Sequence, residues 1–469
     1  IKDPVKLSEM KNNARNAVSK WSYKEDIDGM FEAISSVSNG NESNLNPLAN
    51  IEFSTSGKHH FFGYYDKSPW SRDGKYLLTE EANFIDRLPT SNDILDIGYI
   101  KVNESNKFYK VAETRAWNWQ QGCMLEWLGP DFNSKIIYND YQGGRFVSVI
   151  QDILSNYKKN IPYPVYAVHP DGQFALSLSF SRIDRLREGY GYKINSNSSI
   201  EKKSLDNDGI FRIEFRDNSS KLIISLADLI KNQNIESMKE GEHWVDHITF
   251  NKTGTKFSFL HRWETKNGGM YSRLYVADSD GKNLILLLDT GMVSHFGWSN
   301  YGDLLVWGRP PRVSTSLVKK NYIRKLLVPI YHALFKNSGI RQKISGDAFL
   351  LFKNNSKDFK KIGIGKLTED GHATFHPSKN WILSDTYAGK EKLRKLLLYN
   401  INTNNLVEVG KFYSLPSKEF GINENWDSSG LRADLHPRFN LTGDKICIDS
   451  VHEGTRQVYV INVSQIVAE

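Results

Sequence analysis

Phe250-Asn-Lys-Thr-Gly254 leads almost directly into the apolar run Phe257-Ser-Phe-Leu260, and this phrase returns along the chain. An aromatic or apolar residue is followed four residues later by a turn glycine or its substitute, and then by a short apolar stretch. The same spacing appears at Trp70-Ser-Arg-Asp-Gly74, Val168-His-Pro-Asp-Gly172, Trp298-Ser-Asn-Tyr-Gly302, Phe375-His-Pro-Ser-Lys379 and Phe439-Asn-Leu-Thr-Gly443. A looser version, Trp127-Leu-Gly-Pro-Asp131, makes seven. The stretches that follow, such as Tyr76-Leu-Leu, Phe174-Ala-Leu-Ser-Leu, Leu304-Leu-Val-Trp and Ile446-Cys-Ile, are bounded by turn residues and read as strands. Some units continue into a second hairpin, most clearly at Leu274-Tyr-Val-Ala-Asp-Ser-Asp-Gly281 and Leu284-Ile-Leu-Leu-Leu288.

Strand hairpins repeated seven times with unequal insertions predict an all-β, seven-bladed propeller, placed at residues 51–469. An array of sandwiches would also supply short strands, but its turns would not hold one phase through seven units. In a propeller the innermost strand of each blade lines the axis, so one phase of the repeat points at one place. Ahead of this domain, residues 1–38 carry a helical pattern (Ile27, Met30, Phe31, Ile34), and the Ser- and Asn-rich stretch over 39–50 reads as a linker.

The composition suits a folded, water-soluble domain. Hydrophobic residues make up 39% and charged residues 25% of 469, with 14 prolines, which excludes disordered, collagen-like and disulfide-stapled classes. Two dispersed cysteines, Cys123 and Cys447, read as packed thiols in a reducing compartment. No run is long and apolar enough for a membrane span and the start lacks a signal-peptide pattern, so a cytoplasmic location is expected, or a secreted or periplasmic one if a signal has been removed. The net charge of +7 is local: residues 309–346 hold nine Lys and Arg and no acid, which leaves −2 for the rest. That distribution argues against nucleic acid as partner. Tyr322, Leu326, Leu327, Ile330, Leu334 and Phe335 give this segment a helical apolar face. It reads either as a basic amphipathic helix in peripheral contact with a membrane or as an insertion packed on its own domain.

Three residues before the repeat aromatic stand His247, His295, His372 and His436, in four consecutive units. Imidazoles from adjacent blades directed at one axis suit a metal site or acid–base chemistry, since neutral imidazole binds divalent metals and titrates near neutrality. Asp246, Asp370, Asp434 and Arg438 lie beside them as supporting groups. His243–His247 and His372–His376 are four apart, but on strands this spacing is not read as a chelate. Channel-mouth candidates combining glycines, aromatics and polar tips are His59-His-Phe-Phe-Gly-Tyr-Tyr-Asp-Lys67, Trp117-Asn-Trp-Gln-Gln-Gly122 and Arg187-Glu-Gly-Tyr-Gly-Tyr192. Such groups suit saccharide recognition, and Tyr65, Gln121, Arg262 and Arg438 are the substrate-binding candidates; Arg212 is a further cation. Walker, CxxC, GxSxG and strand-linked GxGxxG motifs are absent.

These motifs, together with Val293-Ser-His-Phe-Gly-Trp298, Asp370-Gly-His372, Ser384-Asp-Thr-Tyr387 and Arg432-Ala-Asp-Leu-His-Pro-Arg438, resemble the seven-bladed propeller polysaccharide lyases of the ulvan-lyase type and, more distantly, the oligogalacturonate lyases. The resemblance implies β-elimination on a uronic-acid-containing polysaccharide or oligosaccharide. It would make Tyr192 the base or acid, Arg212 the carboxylate partner and His247 a base. A divalent metal (Zn, Mn or Ca) would sit on His295, His372, Asp434 and His436. Ulvan-type lyases have catalytic histidines in the early blades; Gln120-Gln121-Gly122 and Tyr138-Asn-Asp140 contain none, which leaves His60 as the early-blade candidate. The first 40 residues, with Leu7-Ser-Glu-Met-Lys-Asn-Asn-Ala14 and Trp21-Ser22, are similar to the C-terminal helices of GT-B glycosyltransferases, which implies a link to bacterial surface-polysaccharide synthesis. The alternative is a non-catalytic glycan-binding or assembly propeller attached to such a transferase.

Overall fold

In the computed structural model every repeat becomes one blade. The structure describes residues 44–102, 104, 107–155, 157–193, 204–266, 268–311, 346–353, 356–415 and 429–468. Seven antiparallel sheets follow one another in chain order. Blade 1 is built from His59–Phe61, Tyr76–Ala82, Leu95–Lys101 and Phe108–Thr114, and blade 2 from Glu126–Trp127, Lys135–Gln142, Arg145–Asp152 and Lys158–Ile161. Blade 3 contains Ala167–Val168, Phe174–Ser177, Gly209–Glu214 and Ser220–Ser225; blade 4 contains Glu242–Phe250, Lys256–Glu264, Met270–Asp278 and Ile285–Gly291. Blade 5 runs through Val293–Trp298, Leu304–Gly308, Ala348–Phe352 and Phe359–Ile362. Blade 6 runs through Thr374–Phe375, Trp381–Asp385, Leu393–Asn400 and Leu406–Tyr413.

Blade 7 is shared between the two ends of the described chain. Arg438–Phe439, Lys445–Ser450 and Gln457–Asn462 are completed on the outside by Asn50–Ser54, which pairs antiparallel with Gln457–Asn462. Asn44–Leu45 adds a fifth strand to blade 6 through Lys411 and Gly410. Part of the expected linker is therefore strand. The edges of two blades offered unpaired backbone groups, and strand addition satisfies them. The helical segment 1–38 and nearly all of the basic segment lie outside the described residues, and with them the transferase resemblance and the membrane face. Arg309, at the start of the basic segment, ion-pairs with Asp347 at 2.8 Å. No helix among the described residues is long and apolar enough to cross a membrane.

The repeat turn has one construction. In five blades the turn glycine donates to the residue three before it, as Gly74 to Ser71 and Gly254 to Asn251, with φ between +71° and +83°. Only glycine enters that region without cost. Between blades the strands bury continuous apolar surface, such as Leu176, Ile210, Phe257, Phe259 and Tyr275 between blades 3 and 4. Each such side chain contributes about 1.5–3 kcal/mol on burial. Cys123 and Cys447 are both buried and free, and burial pushes the Cys447 thiol up to about 12.

The axis is filled by the segment that follows the first strand of blade 1, Phe62-Gly-Tyr-Tyr-Asp-Lys67. Arg438, itself 3% exposed, donates to the carbonyls of Phe62 (2.6 Å), Gly63 and Tyr64. The Tyr65 hydroxyl donates to the Phe296 carbonyl and accepts from the Phe296 N–H. Gly63 runs so close to blade 2 that a Cβ there would lie 2.6 Å from the Gln121 carbonyl oxygen.

The turn glycines provide a graded test. A Cβ on Gly254 would collide with the ring of His169 in the preceding blade, whereas a Cβ on Gly302 meets nothing within 4 Å. Both have φ well above zero (+72° and +83°). Gly302→Ala is expected to cost about 1–2 kcal/mol, the penalty of the left-handed backbone alone, and Gly254→Ala clearly more. Urea-unfolding midpoints of the two variants give the comparison; equal shifts would show that the His169 contact contributes nothing.

Candidate functional site

The innermost strands of blades 4 and 5, and the residues just ahead of the innermost strands of blades 6 and 7, bring the four histidines to one end of the axis. At this register His247 and His436 adopt φ of +53° and +42°, and Met124 in blade 2 adopts +57°. A non-glycine residue held there costs on the order of 1 kcal/mol or more. In blade 4 the kink coincides with a register shift between Asp246 and Thr249, and the His247 N–H is caught by the Tyr166 hydroxyl at 3.0 Å. The four rings surround Tyr64, whose ring centroid lies 5.0 Å from His247, 6.4 Å from His295, 5.8 Å from His372 and 4.9 Å from His436. His295–His372 and His372–His436 are each 4.4 Å apart.

His372, Asp434 and His436 each offer a ligand atom, all within 4.8 Å of one another. Nδ1 of His372 lies 3.0 Å from both oxygens of Asp385, and the same carboxylate accepts the His372 N–H at 2.7 Å. That contact fixes the ring and turns Nε2 toward the cluster. Burial opposes a charge on His372, but Asp385 outweighs it and raises the pKa. His436 uses Nδ1 on the Gly63 carbonyl at 3.2 Å, while its Nε2 is buried with no hydrogen-bond partner among the described residues. Burial, with His372 beside it, holds the His436 pKa well below the ordinary value. Asp434 remains ionised because Arg394 (2.7 Å) and Arg432 (3.9 Å) oppose its desolvation. A buried carboxylate and a lone-pair nitrogen without a donor fit a cation. His295, expected as a fourth ligand, has its Nδ1 on Asp370 at 2.9 Å and its Nε2 3.4 Å from the Tyr387 hydroxyl, so it borders the triad.

Beside the triad His247 forms a second unit. Arg187 Nη1 donates to His247 Nε2 at 3.0 Å and lies 2.6 Å from Asp246 Oδ2; Arg262 Nε holds the other Asp246 oxygen at 3.0 Å. Burial, reinforced by both arginines, keeps His247 well below the ordinary imidazole pKa and therefore neutral. Arg187 caps the short helix Phe180–Leu186, which Ser179 starts by accepting the Arg182 N–H, and this inserted helix carries the guanidinium over the axis. Its plane lies 3.6 Å from the Tyr190 ring centroid. Arg187, Tyr190, Asp370, Tyr387 and Arg432 form a half-buried rim above a buried histidine floor. The Tyr64 hydroxyl is buried there without a hydrogen-bond partner, and desolvation holds its pKa well above 10.

The sequence-predicted residues separate into three groups. His247, His295, His372, Asp434 and His436 converge. Tyr65, Gln121, Arg262 and Arg438 lie one layer behind: Gln121 donates to the Tyr166 hydroxyl at 2.8 Å, Arg262 holds Asp246, and Arg438 and Tyr65 fix the axial segment. The structure does not bring Tyr192, Arg212 or His60 to the cluster. Tyr192 is fully buried, stacked on Phe180 at 4.3 Å, with Asn139 donating to its hydroxyl. Arg212 lies over Phe174 and pairs with Glu214 within blade 3. His60 sits between Glu81 and Gln457 at 3.1 Å each. His243 bonds His261 at 3.0 Å and not His247: residues four apart would share one face of a regular strand, but the register shift between Asp246 and Thr249 and the left-handed backbone at His247 separate the two rings. Sequence reasoning missed Tyr64, Arg187 and Asp385 as individual residues, although all three fall inside motifs it singled out.

No protein-family model matches the sequence, and no curated protein does. Among solved structures, an oligogalacturonate lyase in complex with manganese superposes with a TM-score of 0.57 at 11% identity, over 91% of this chain and 100% of that one. The oligogalacturonate lyase of Vibrio parahaemolyticus gives 0.53 at 9% identity, over 90% and 99%. The similarity falls on the oligogalacturonate-lyase side of the resemblance and establishes a shared propeller fold.

The triad is tested by titrating the whole chain with Mn²⁺ calorimetrically. One ion per chain is expected, with His436→Ala abolishing the site and Asp385→Asn weakening it roughly 10- to 100-fold, the usual effect of losing a carboxylate that orients a ligating histidine. Binding unchanged in His436→Ala would exclude this site.

Proposed function

We propose that this propeller is a divalent-metal-dependent lyase that cleaves a uronate-containing oligosaccharide by β-elimination at its histidine end. The observation that carries the reading is the meeting, on one buried floor, of a cation-ligating triad, a neutral histidine bonded to an arginine, and a phenol with no partner. The likeness to the oligogalacturonate lyases, one of them a manganese complex, supports it.

The C5 proton of a uronate is too weakly acidic for a side chain to remove unless the adjacent carboxylate is neutralised. A cation held by His372, Asp434 and His436, of the manganese or zinc kind that imidazole and carboxylate accept, would supply part of that neutralisation. Arg187 supplies the rest: when the substrate carboxylate takes over its N–H groups, the lone pair of His247 Nε2 is released. His247, neutral because it is buried beside two arginines, then accepts the C5 proton. The electrons of that C–H bond form the C4–C5 double bond, and the C4–O bond breaks. Tyr64, kept protonated by its burial, gives its proton to the departing oxygen. Base and acid are thus separated by opposite shifts of pKa away from neutrality. Arg187 takes the role expected of Arg212, and Tyr64 that expected of Tyr192.

The product absorbs in the near ultraviolet, so absorbance during incubation with a panel of uronate oligosaccharides is the test. A rise abolished by chelator, and slowed about 100-fold or more in His247→Ala and Tyr64→Phe, is expected from loss of a general base or acid. A flat trace across the panel with glycan binding retained would overturn catalysis in favour of a binding propeller.

A further inference from the structure

The opposite end of the axis holds a separate cavity of about 280 Å³. The segment that presents Tyr64 to the histidines ends here, in Asp66 and Lys67. The repeat aromatics Phe250, Trp298, Phe375 and Phe439 form its wall, so the same repeat phase in blades 4 to 7 places a histidine at one end of the channel and, three residues on, an aromatic at the other.

Four charged residues line this cavity: Asp66, Lys67, Lys252 and Arg438, which gives a net charge of +2. The Lys67 side chain is 5% exposed, yet its ammonium makes one hydrogen bond, to Asp66 Oδ2 at 3.3 Å, and has two donors unused. Lys252 is exposed to the cavity and makes no hydrogen bond or ion pair among the described residues. Two acceptor-bearing groups are also unfilled: Asp66 Oδ1 and Thr374 Oγ1 are buried without a hydrogen-bond partner. Buried polar atoms without partners are uncommon, and here they face a cavity lined by two lysines, which Asp66 and the neighbouring Glu126 oppose, and by aromatic rings.

We infer that this cavity is a second ligand site, for a small hydroxylated anion of the sugar-acid class. The carboxylate would lie on Lys67 and Lys252, hydroxyls would meet Asp66 Oδ1 and Thr374 Oγ1, and the apolar face of the ring would rest on the aromatic wall. Inorganic anions satisfy the lysines but leave the aromatic wall bare, and neutral sugars leave the lysines without an anion; a sugar acid supplies a carboxylate, hydroxyls and a ring face together. The site is independent of the chemistry at the histidine end.

Calorimetric titration of the full chain with D-glucuronate, with D-glucose and inorganic phosphate as comparisons, is the test. Glucuronate is expected to bind more tightly than either comparison. Lys252→Ala, a change at an exposed position that leaves the core intact, is expected to weaken it about tenfold, as loss of one charge-assisted contact does. Thr374→Val weakens it less, and Arg187→Ala leaves that binding in place. No glucuronate binding, equal binding of phosphate or glucose, or binding sensitive to Arg187→Ala and indifferent to Lys252→Ala would each overturn the assignment.

Discussion

Everything at the axis depends on the grip of one guanidinium on three consecutive carbonyls. A ring of seven sheets leaves a central gap, and here it is filled by Phe62–Lys67, an irregular backbone whose polar groups need partners away from water. Arg438 meets that need from blade 7, while His436 accepts part of the same task at Gly63. The arginine is itself buried and balanced at a distance by Asp449 at 3.7 Å. Truncating it would leave the Phe62 and Tyr64 carbonyls without this donor and Asp449 with Arg456 as its one remaining arginine among the described residues, at 3.7 Å, the expensive way to break a buried network. Through this contact Tyr64 is held among the histidines, and Asp66 and Lys67 at the far end.

Around this segment three buried carboxylates each have a charged or imidazole neighbour. Asp246 lies between Arg187 and Arg262, Asp434 between Arg394 and Arg432, and Asp385 under His372. The carboxylates therefore stay ionised in places where burial alone would protonate them. The imidazoles divide according to their neighbours: His372 is drawn upward by Asp385, whereas His247 and His436 are driven down by burial among cations. Similar side chains at one register of the repeat thus acquire different chemistry from what stands behind them.

The fold was readable because its signal is periodic. Turn glycines such as Gly74 and Gly254 need a left-handed backbone, and the aromatics before them need the blade interface, so each repeat repeats a physical requirement. The histidines were readable for the same reason, being one phase of the repeat. Arg187, Tyr64 and Asp385 had no such register. Arg187 comes from an insertion capped onto a short helix, and Tyr64 from a segment that leaves its blade; where such residues finish is decided by tertiary packing. Tyr192 has the right type and neighbours in sequence, yet its ring fits the slot against Phe180, and apolar packing outweighed the exposure a reactive phenol needs. The strand at Asn44–Leu45 was hidden because a two-residue edge addition has too little pattern to stand out from a linker.

The shared construction of blade 7 has a consequence for the order in which the molecule can form. Thr55 bonds Gln457 and Glu52 bonds Asn462 at separations of 402 and 410 residues, so the ring cannot be sealed until Gln457–Asn462 is available. Contacts of such separation form late, after their loop-closure entropy has been offset by local structure. During synthesis the early blades can assemble on their neighbours, but the outer edge of Gln457–Asn462 and the strand Asn50–Ser54 wait for each other. The axial segment is in the same position, because its clasp, Arg438, belongs to the last blade. Both ends of the channel therefore depend on the blade whose strands come last in sequence.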